Sequence, residues 1–376
     1  AAAIVLDAPG AGEGDEIHIG STSTGARSAP DLAASAARAV ERANATPRQR
    51  TGLARQVLDR ALPLVYGDQA ALNDAGIPAV ALARRAEAPL GATTSWTSDR
   101  MAIAGASAQN LLGAIDAGDT PPDPTTALVF GERAIEGAIL RAAALLLLLP
   151  VIVGAIDMVA ALRRARAPLR SAARRGMRLL VAVVVGAIGG RVVALTGIIP
   201  GAAAGNPALP SEVPLDATAL LVLMLGFGAG GLTWYLMSRD APAPAPRRVR
   251  LVAIVAWTAG LMIVLWFANP FAMVALLPFA HSLLLVTAAR RGWQAAVLAA
   301  AAILPLAWLL LSGAAQTDLS VPGFSWYLLE TSASGARGVV VPLLVAGLLA
   351  LALLAAADLL RAAAPRVRGR AASART

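Results

Sequence analysis

This chain has few side chains with which to do chemistry. Of its 376 residues only His18 and His281 are histidine, none is cysteine, and all 32 basic residues are arginine. Disulfides and thiolate metal sites are therefore excluded, and no Ser-His-Asp set can be assembled with histidine so scarce. The remaining candidates are ionisable groups in apolar surroundings: Asp157, Arg191, His281 and Asp358. A charge inside a membrane span is costly, so each is a functional candidate by default, for proton relay or transport. Bland readings compete with that one. Asp157 and Asp358 could pair with adjacent Arg clusters, Arg191 could snorkel outward, and His281 could be a neutral, hydrogen-bonded packing residue. No ladder of acidic residues and no repeat between halves supports transport. The run Gly10-Ala11-Gly12-Glu13-Gly14 evokes a phosphate loop. It lacks Lys-Ser/Thr and precedes a strand, so it reads as a loop.

The elements that must position these groups are mostly membrane spans. The chain is 57% apolar with a mean hydropathy of +0.66, above the roughly 45–50% of a soluble domain. Seven stretches are long and apolar enough to cross a hydrocarbon core, at 138–161, 178–199, 217–237, 251–268, 270–289, 294–312 and 338–360. Each approaches the about 20 residues a span needs. The fourth and fifth are joined only by Asn269-Pro270, a tight hairpin. Pro150, Pro278, Pro305 and Pro342 are tolerable because neighbouring helices satisfy the freed carbonyls. Gly186 and Gly190, like Gly226 and Gly230, have the spacing of close helix packing.

Charge placement predicts the orientation. Residues 1–134 hold 15 acidic groups against 11 Arg, so the basic surplus lies in the apolar part. The loops after the first, third and fifth spans and the tail hold 18 Arg, whereas the alternate loops hold one, Arg337. The rich side is expected in the cytoplasm. This predicts a multi-pass cell-membrane protein with its N-terminal domain outside and a basic cytoplasmic tail. Trp234, Tyr235, Trp266, Trp293, Trp326 and Tyr327 fall near span ends, as an aromatic belt would. The partner this implies is the lipid bilayer. Nucleic acid is not, because the arginines sit in short loops between apolar runs. The chain opens on a strand-like run with no Met or signal sequence, which leads us to expect further sequence upstream.

Residues 1–118 alternate strand and helix signals, as in an α/β layer structure. Strands are expected at Ala3–Asp7, Glu16–Ser21 and Ile77–Ala83, with helices near 30–44, 51–62 and from Ser98 or Asp99 to Ala117. Residues 73–76 read as a turn. His18 falls on the polar phase of its strand and reads as exposed. The expected organisation is an α/β domain at 1–118, a linker at 119–137, an all-α membrane domain at 138–362 and a tail at 363–376.

Three stretches of the outer domain carry a resemblance. Leu6-Asp7-Ala8-Pro9-Gly10 resembles the strand-end N-[LM]-D-x-x-G motif of the zinc aminopeptidases of metallopeptidase family twenty-eight. Gly67-Asp68-Gln69-Ala70-Ala71-Leu72-Asn73-Asp74-Ala75-Gly76-Ile77-Pro78-Ala79 resembles that family's S-D-H-x-x-F-x-x-x-G-I-P-A stretch. Ser95-Trp96-Thr97-Ser98-Asp99 sits where the family has H-T-x-x-D before its closing helix. The match covers the C-terminal half of such a domain. It implies a partial peptidase-like fold in which Asp7 matches a metal-ligand Asp, with Asp68 and Asp99 in the neighbouring motifs. The departures bear on the chemistry, because Gln69 replaces one His and Ser95 replaces the later ligand His. Both are poor zinc ligands. The family's H-x-D and Glu-Glu elements precede the strand holding Asp7, so they would lie upstream of this sequence.

The architecture is similar to that of membrane-bound vacuolar-type proteases and of the glycosylphosphatidylinositol transamidase subunit. The resemblance thus implies a degenerate, non-hydrolytic outer domain that binds a peptide or protein partner, with no cofactor in this chain. The alternatives are an active zinc aminopeptidase completed by a missing N-terminal half, and a transporter with an accessory outer domain.

Overall fold

A computed structural model describes residues 2–7, 15–21, 30–48, 56–57, 60–61, 69–83, 96–118, 128–130, 133–197, 216–239, 245–289, 292–317, 319–334 and 338–363. Residues Ala79–Ala83 form an unbroken apolar run, and every one of the first four is buried. They form an inner strand of a four-stranded sheet. In chain order its strands are β1 (Ala3–Asp7), β2 (Glu16–Gly20), β3 (Thr46–Arg48) and β4 (Ala79–Ala83), in spatial order β1-β4-β2-β3. β4 runs parallel to β1 and antiparallel to β2, and β2 runs parallel to β3. The helices are α1 (Pro30–Arg42), α2 (Gln69–Asp74) and α3 (Ser98–Asp116).

Periodicity explains which face is covered. Ile17 and Ile19 alternate on β2, and they join Val80 and Leu82 of β4 against Leu32, Ala36 and Val40 of α1 and Leu111 of α3. The apolar residues of α1 recur at three- and four-residue steps, the signature of a half-buried helix. Asn73 ties α2 to β4: its Nδ2 donates to the Ala79 carbonyl at 2.9 Å, and its Oδ1 accepts from the Ala79 amide at 3.0 Å. Gly76, at φ +80, makes the intervening turn in a conformation open to glycine. The expected strands are present at Ala3–Asp7, Glu16–Gly20 and Ala79–Ala83 and the expected helices at Pro30–Arg42 and Ser98–Asp116, while the helix Gln69–Asp74 runs into the turn expected at 73–76. Residues 56–57 and 60–61 of the expected 51–62 helix are helical, while Asp68 and Ser95 lie outside the described residues. Within the expected linker, 119–137, lies a two-stranded antiparallel hairpin, β5 (Leu128–Phe130) and β6 (Arg133–Ile135).

Beyond the hairpin the chain is helical: α4 (Gly137–Arg164), α5 (Leu169–Leu195), α6 (Ala217–Arg239), α7 (Arg247–Ala268), α8 (Pro270–Val286), α9 (Gly292–Thr317), α10 (Val321–Ser334) and α11 (Val340–Ala363). Six of these are long and apolar enough to cross a membrane: α4, α5, α6, α7, α9 and α11. The 17-residue α8 is shorter. Half of α7's apolar window is buried, against 17–28% in the other five. α7 and α8 are thus the centre of the bundle, where Met262, Leu265, Met273 and Leu276 pack on Leu148 and Val151 of α4 and Leu348 and Leu351 of α11. Asn269 caps α8, its Oδ1 accepting from the amides of Phe271 and Ala272 at 3.0 Å each, with Pro270 at the first turn. Pro is preorganised there because its missing N–H would be unsatisfied anyway.

Two elements depart from expectation. α5 begins nine residues before the expected span, because Ala172 and Gly176 are buried on one side while arginines occupy the other. The residues expected as an outer loop contain α10, whose buried side is Phe324, Trp326, Tyr327, Glu330, Thr331, Ala333 and Ser334. Trp326 and Tyr327 therefore are not belt residues. Trp326 packs with Ala194 and Leu223, and Tyr327 with Phe324 and Ala314.

α5 and α6 pack backbone to backbone. A Cβ added at Gly226 would sit 2.8 Å from the Gly189 carbonyl oxygen, and one at Gly230 2.5 Å from that of Ala182. Gly231, by contrast, faces open space. Replacing Gly230 by Leu is expected to destabilise the folded protein by about 1–3 kcal/mol or more through overpacking. Gly231→Leu is expected to leave thermal unfolding unchanged. Equal melting temperatures for both variants would contradict this packing.

Candidate functional sites

The sheet register builds the first site. Asp7 of β1 and His18 of β2 both pair with Ala83 of β4, and His18 pairs on its other side with Arg48 of β3. Directly paired residues point to the same face. Asp7, Ala83, His18 and Arg48 thus form one row across the sheet, with Asp7 and His18 about 10 Å apart at the backbone given two strand spacings. Asp7 is exposed and His18 half-buried. Arg48 donates to Glu16 at 2.6 Å, with the side chains 59% and 39% exposed. Small residues floor this face. A Cβ at Gly20 would lie 3.3 Å from that of Ala81 and 3.1 Å from Nε2 of Gln69.

Gln69 is where the resemblance puts a histidine, and it is 1% exposed. Its amide lies against Gly20, and its Oε1 has no hydrogen-bond partner among the described residues. Asp99 is exposed at the start of α3. Zinc needs three or four imidazole, thiolate or carboxylate ligands. Among the described residues no group of three His, Cys, Asp or Glu side chains could share an ion. The described donor set of this face therefore does not fit the zinc site of the family that the sequence resembles. It fits a charged surface with Asp7 at one end, the Arg48–Glu16 ion pair at the other and an imidazole between. The sequence hid this row, because pairing between strands so far apart in the chain is not written in any local pattern. His18, expected to be merely an outward residue, stands in it, while His281 lies in α8.

The second site is the seam between the outer domain and the bundle. Asn269, already the cap of α8, also donates from Nδ2 to the Arg60 carbonyl at 2.8 Å. The Arg60 guanidinium stands over the Phe271 ring, 4.8 Å from its centroid, and is 1% exposed. Ala61 and Val57 pack into the bundle core. Nearby, the Trp266 indole donates to the Arg141 carbonyl at 2.9 Å. Arg60 was missed at the sequence level, although it falls three residues after Val57 on the apolar side of its helical pattern.

The third site is at the opposite end. Asp358 of α11 is fully buried and receives Arg250 Nε of α7 at 2.8 Å and Arg175 Nη1 of α5 at 3.4 Å to each oxygen. Arg250 also donates to the Ala245 carbonyl at 2.6 Å. The reading that Asp358 pairs with neighbouring arginines is thus correct, and it ties three helices together. The same reading fails for Asp157. That carboxylate is exposed and makes no ion pair among the described residues.

Arg191 also differs from expectation. Instead of reaching outward, its Nη1 donates to the Ala333 carbonyl at 3.3 Å, one residue from the end of α10. A cation there meets the negative end of the helix. One turn earlier on α10, Glu330 is a buried carboxylate in a stretch whose composition reads as a loop. His281 Nδ1 lies 3.0 Å from the Leu277 carbonyl, one turn back in α8, as expected of a packing histidine.

No protein-family model matches this chain, and a search of curated proteins finds no match. The function therefore has to be read from the residues themselves.

Removing Asp358 alone would leave two arginines with their buried partner gone. Asp358→Leu is expected to cost about 3–5 kcal/mol of stability. Combining it with Arg175→Met and Arg250→Met should recover most of that loss, since an apolar replacement of a whole buried ion network is often neutral. Thermal unfolding of the single and triple variants checks this. A triple variant as unstable as Asp358→Leu would contradict it.

Proposed function

We propose that this chain is a multi-pass membrane protein whose outer α/β domain binds a peptide or protein partner without hydrolysing it. The observation that carries the reading is the row Asp7–Ala83–His18–Arg48, a charged face with a small-residue floor and, among the described residues, no third ligand for a metal. A peptide offers complementary charges and backbone groups to such a face. The degenerate peptidase reading rests on the sequence resemblance around Asp7, Gln69 and Ser95, and the burial of Gln69 is consistent with it.

The membrane domain is read as seven spans with the arginine-rich end in the cytoplasm. The 17 residues of α8 extend about 25 Å, short of the about 30 Å of a hydrocarbon core. Supporting its passage, α8 begins at the seam with the outer domain and ends where Thr287 meets Met158, close to Arg163 and Arg164. A central helix wrapped by others need not match the lipid thickness as an exposed one must. The positive-inside rule then supports an extracytoplasmic outer domain.

Two measurements on the purified full chain test the binding reading. Metal analysis is expected to find zinc well below one per chain, and aminopeptidase substrates should remain intact. In a fluorescence-polarisation screen of labelled peptides, binders should lose affinity about tenfold when Asp7 and Arg48 are both replaced by Ala, each charge contributing about 0.7 kcal/mol. His281→Ala should bind as the unaltered chain does. Stoichiometric zinc together with a chelator-sensitive aminopeptidase activity would sink the non-hydrolytic reading. Peptide binding that ignores Asp7 and Arg48 would sink the site.

A further inference from the structure

We propose that the uncovered side of α5 binds one anionic phospholipid, with its phosphate held by Arg170 and Arg174 and its acyl chains along Met177, Val181, Val184 and Ile188. These six residues recur at steps of three and four, so they form one face of the helix. Both arginines are exposed, and Met177, Val181, Val184 and Ile188 are 48%, 36%, 40% and 57% exposed. The opposite sides of α5 are already occupied: Arg175 by Asp358, and the glycines by α6. Among the described residues no carboxylate pairs with Arg170 or Arg174, in contrast to Arg175 and Arg250. The face is thus a cationic head continued directly by an apolar track.

Depth agrees with this division. From Arg174 to the last residue of α5, Leu195, the helix rises about 31 Å at 1.5 Å per residue, the thickness of a hydrocarbon core. Arg170 and Arg174 therefore stand at headgroup level when the apolar track stands in hydrocarbon. The start of α5 adds donors of its own. Its cap is Pro168, and no side chain caps the first turn; the Leu169 amide bonds to the Ala167 carbonyl at 2.8 Å, and the next amides of the turn are oriented toward an approaching anion. The preceding turn holds Arg163, Arg164 and Arg166 in the open, with Arg166 in the left-handed conformation at φ +50. A soluble phosphate would be served by the arginines alone. The apolar track beneath them is what selects a lipid.

The test uses the full chain in bilayer discs made of equal parts phosphatidylcholine and phosphatidylglycerol, with retained lipid counted by native mass spectrometry. Arg170→Gln/Arg174→Gln is expected to lower phosphatidylglycerol retention about tenfold or more. Arg170→Lys/Arg174→Lys should keep most of it. Arg247→Gln/Arg248→Gln removes the same charge from exposed positions at the same end and should leave retention unchanged. Soluble glycerol phosphate should not displace the lipid. The proposal is overturned if the two Gln pairs lose retention equally, if neither loses it, or if glycerol phosphate competes as well as lipid does.

Discussion

In α4, α5, α6, α9 and α11 no more than 28% of the apolar window is buried by the protein. Leu146, Leu225, Phe267 and Leu353, at 68–72% exposed, are not defects of a core but surface that water would not tolerate. Covering such surface is worth about 25 cal/mol per Å², and hydrocarbon supplies the cover. That requirement decides the rest. In hydrocarbon every backbone group must be satisfied within the segment, so the spans are helices. Polar side chains must in turn find partners at the ends, because between them there is no water to offer any.

The two ends meet that requirement differently. At the outer-domain end, Asn269 satisfies the first amides of α8 with one side-chain atom and the Arg60 carbonyl with the other. A turn between central helices thereby becomes the attachment point of the α/β domain. At the opposite end a single buried carboxylate, Asp358, gathers α5, α7 and α11 through two arginines. α7 takes part in both junctions. Its unusual burial follows, since a helix held at both ends by polar contacts and flanked on several sides has little surface left for lipid.

Much of this was legible in the sequence where the signal was local. Apolar length gave six of the seven expected spans, Asn269-Pro270 gave the hairpin, glycine spacing marked Gly186, Gly190, Gly226 and Gly230 as helix-packing positions, and the apolar run ending at Ala83 gave a buried strand. What was not legible depended on distance in the chain or on mixed composition. The row through Asp7, His18 and Arg48 exists only once β1, β4, β2 and β3 are ordered. α10 mixes Glu330, Thr331 and Ser334 with aromatics, and this hid a buried helix behind a loop-like composition. Arginines on one side of α5 concealed its first turns in the same way. Arg191 and Asp157 show why intramembrane charges resist assignment by proximity in sequence: one found a helix end, and the other no partner among the described residues.

The outer domain and the spans form one account only if they lie as argued relative to the membrane. Because the chain has no cysteine, single cysteines report sidedness without background. Glu41→Cys, Ala268→Cys, Arg166→Cys and Ala288→Cys all occupy exposed positions, and a membrane-impermeant maleimide can be applied to intact cells. The account predicts labelling of Cys at 41 and 268 from outside, and of 166 and 288 only after the membrane is opened. Labelling of 268 and 288 from the same side, or of 41 only after opening, would contradict it.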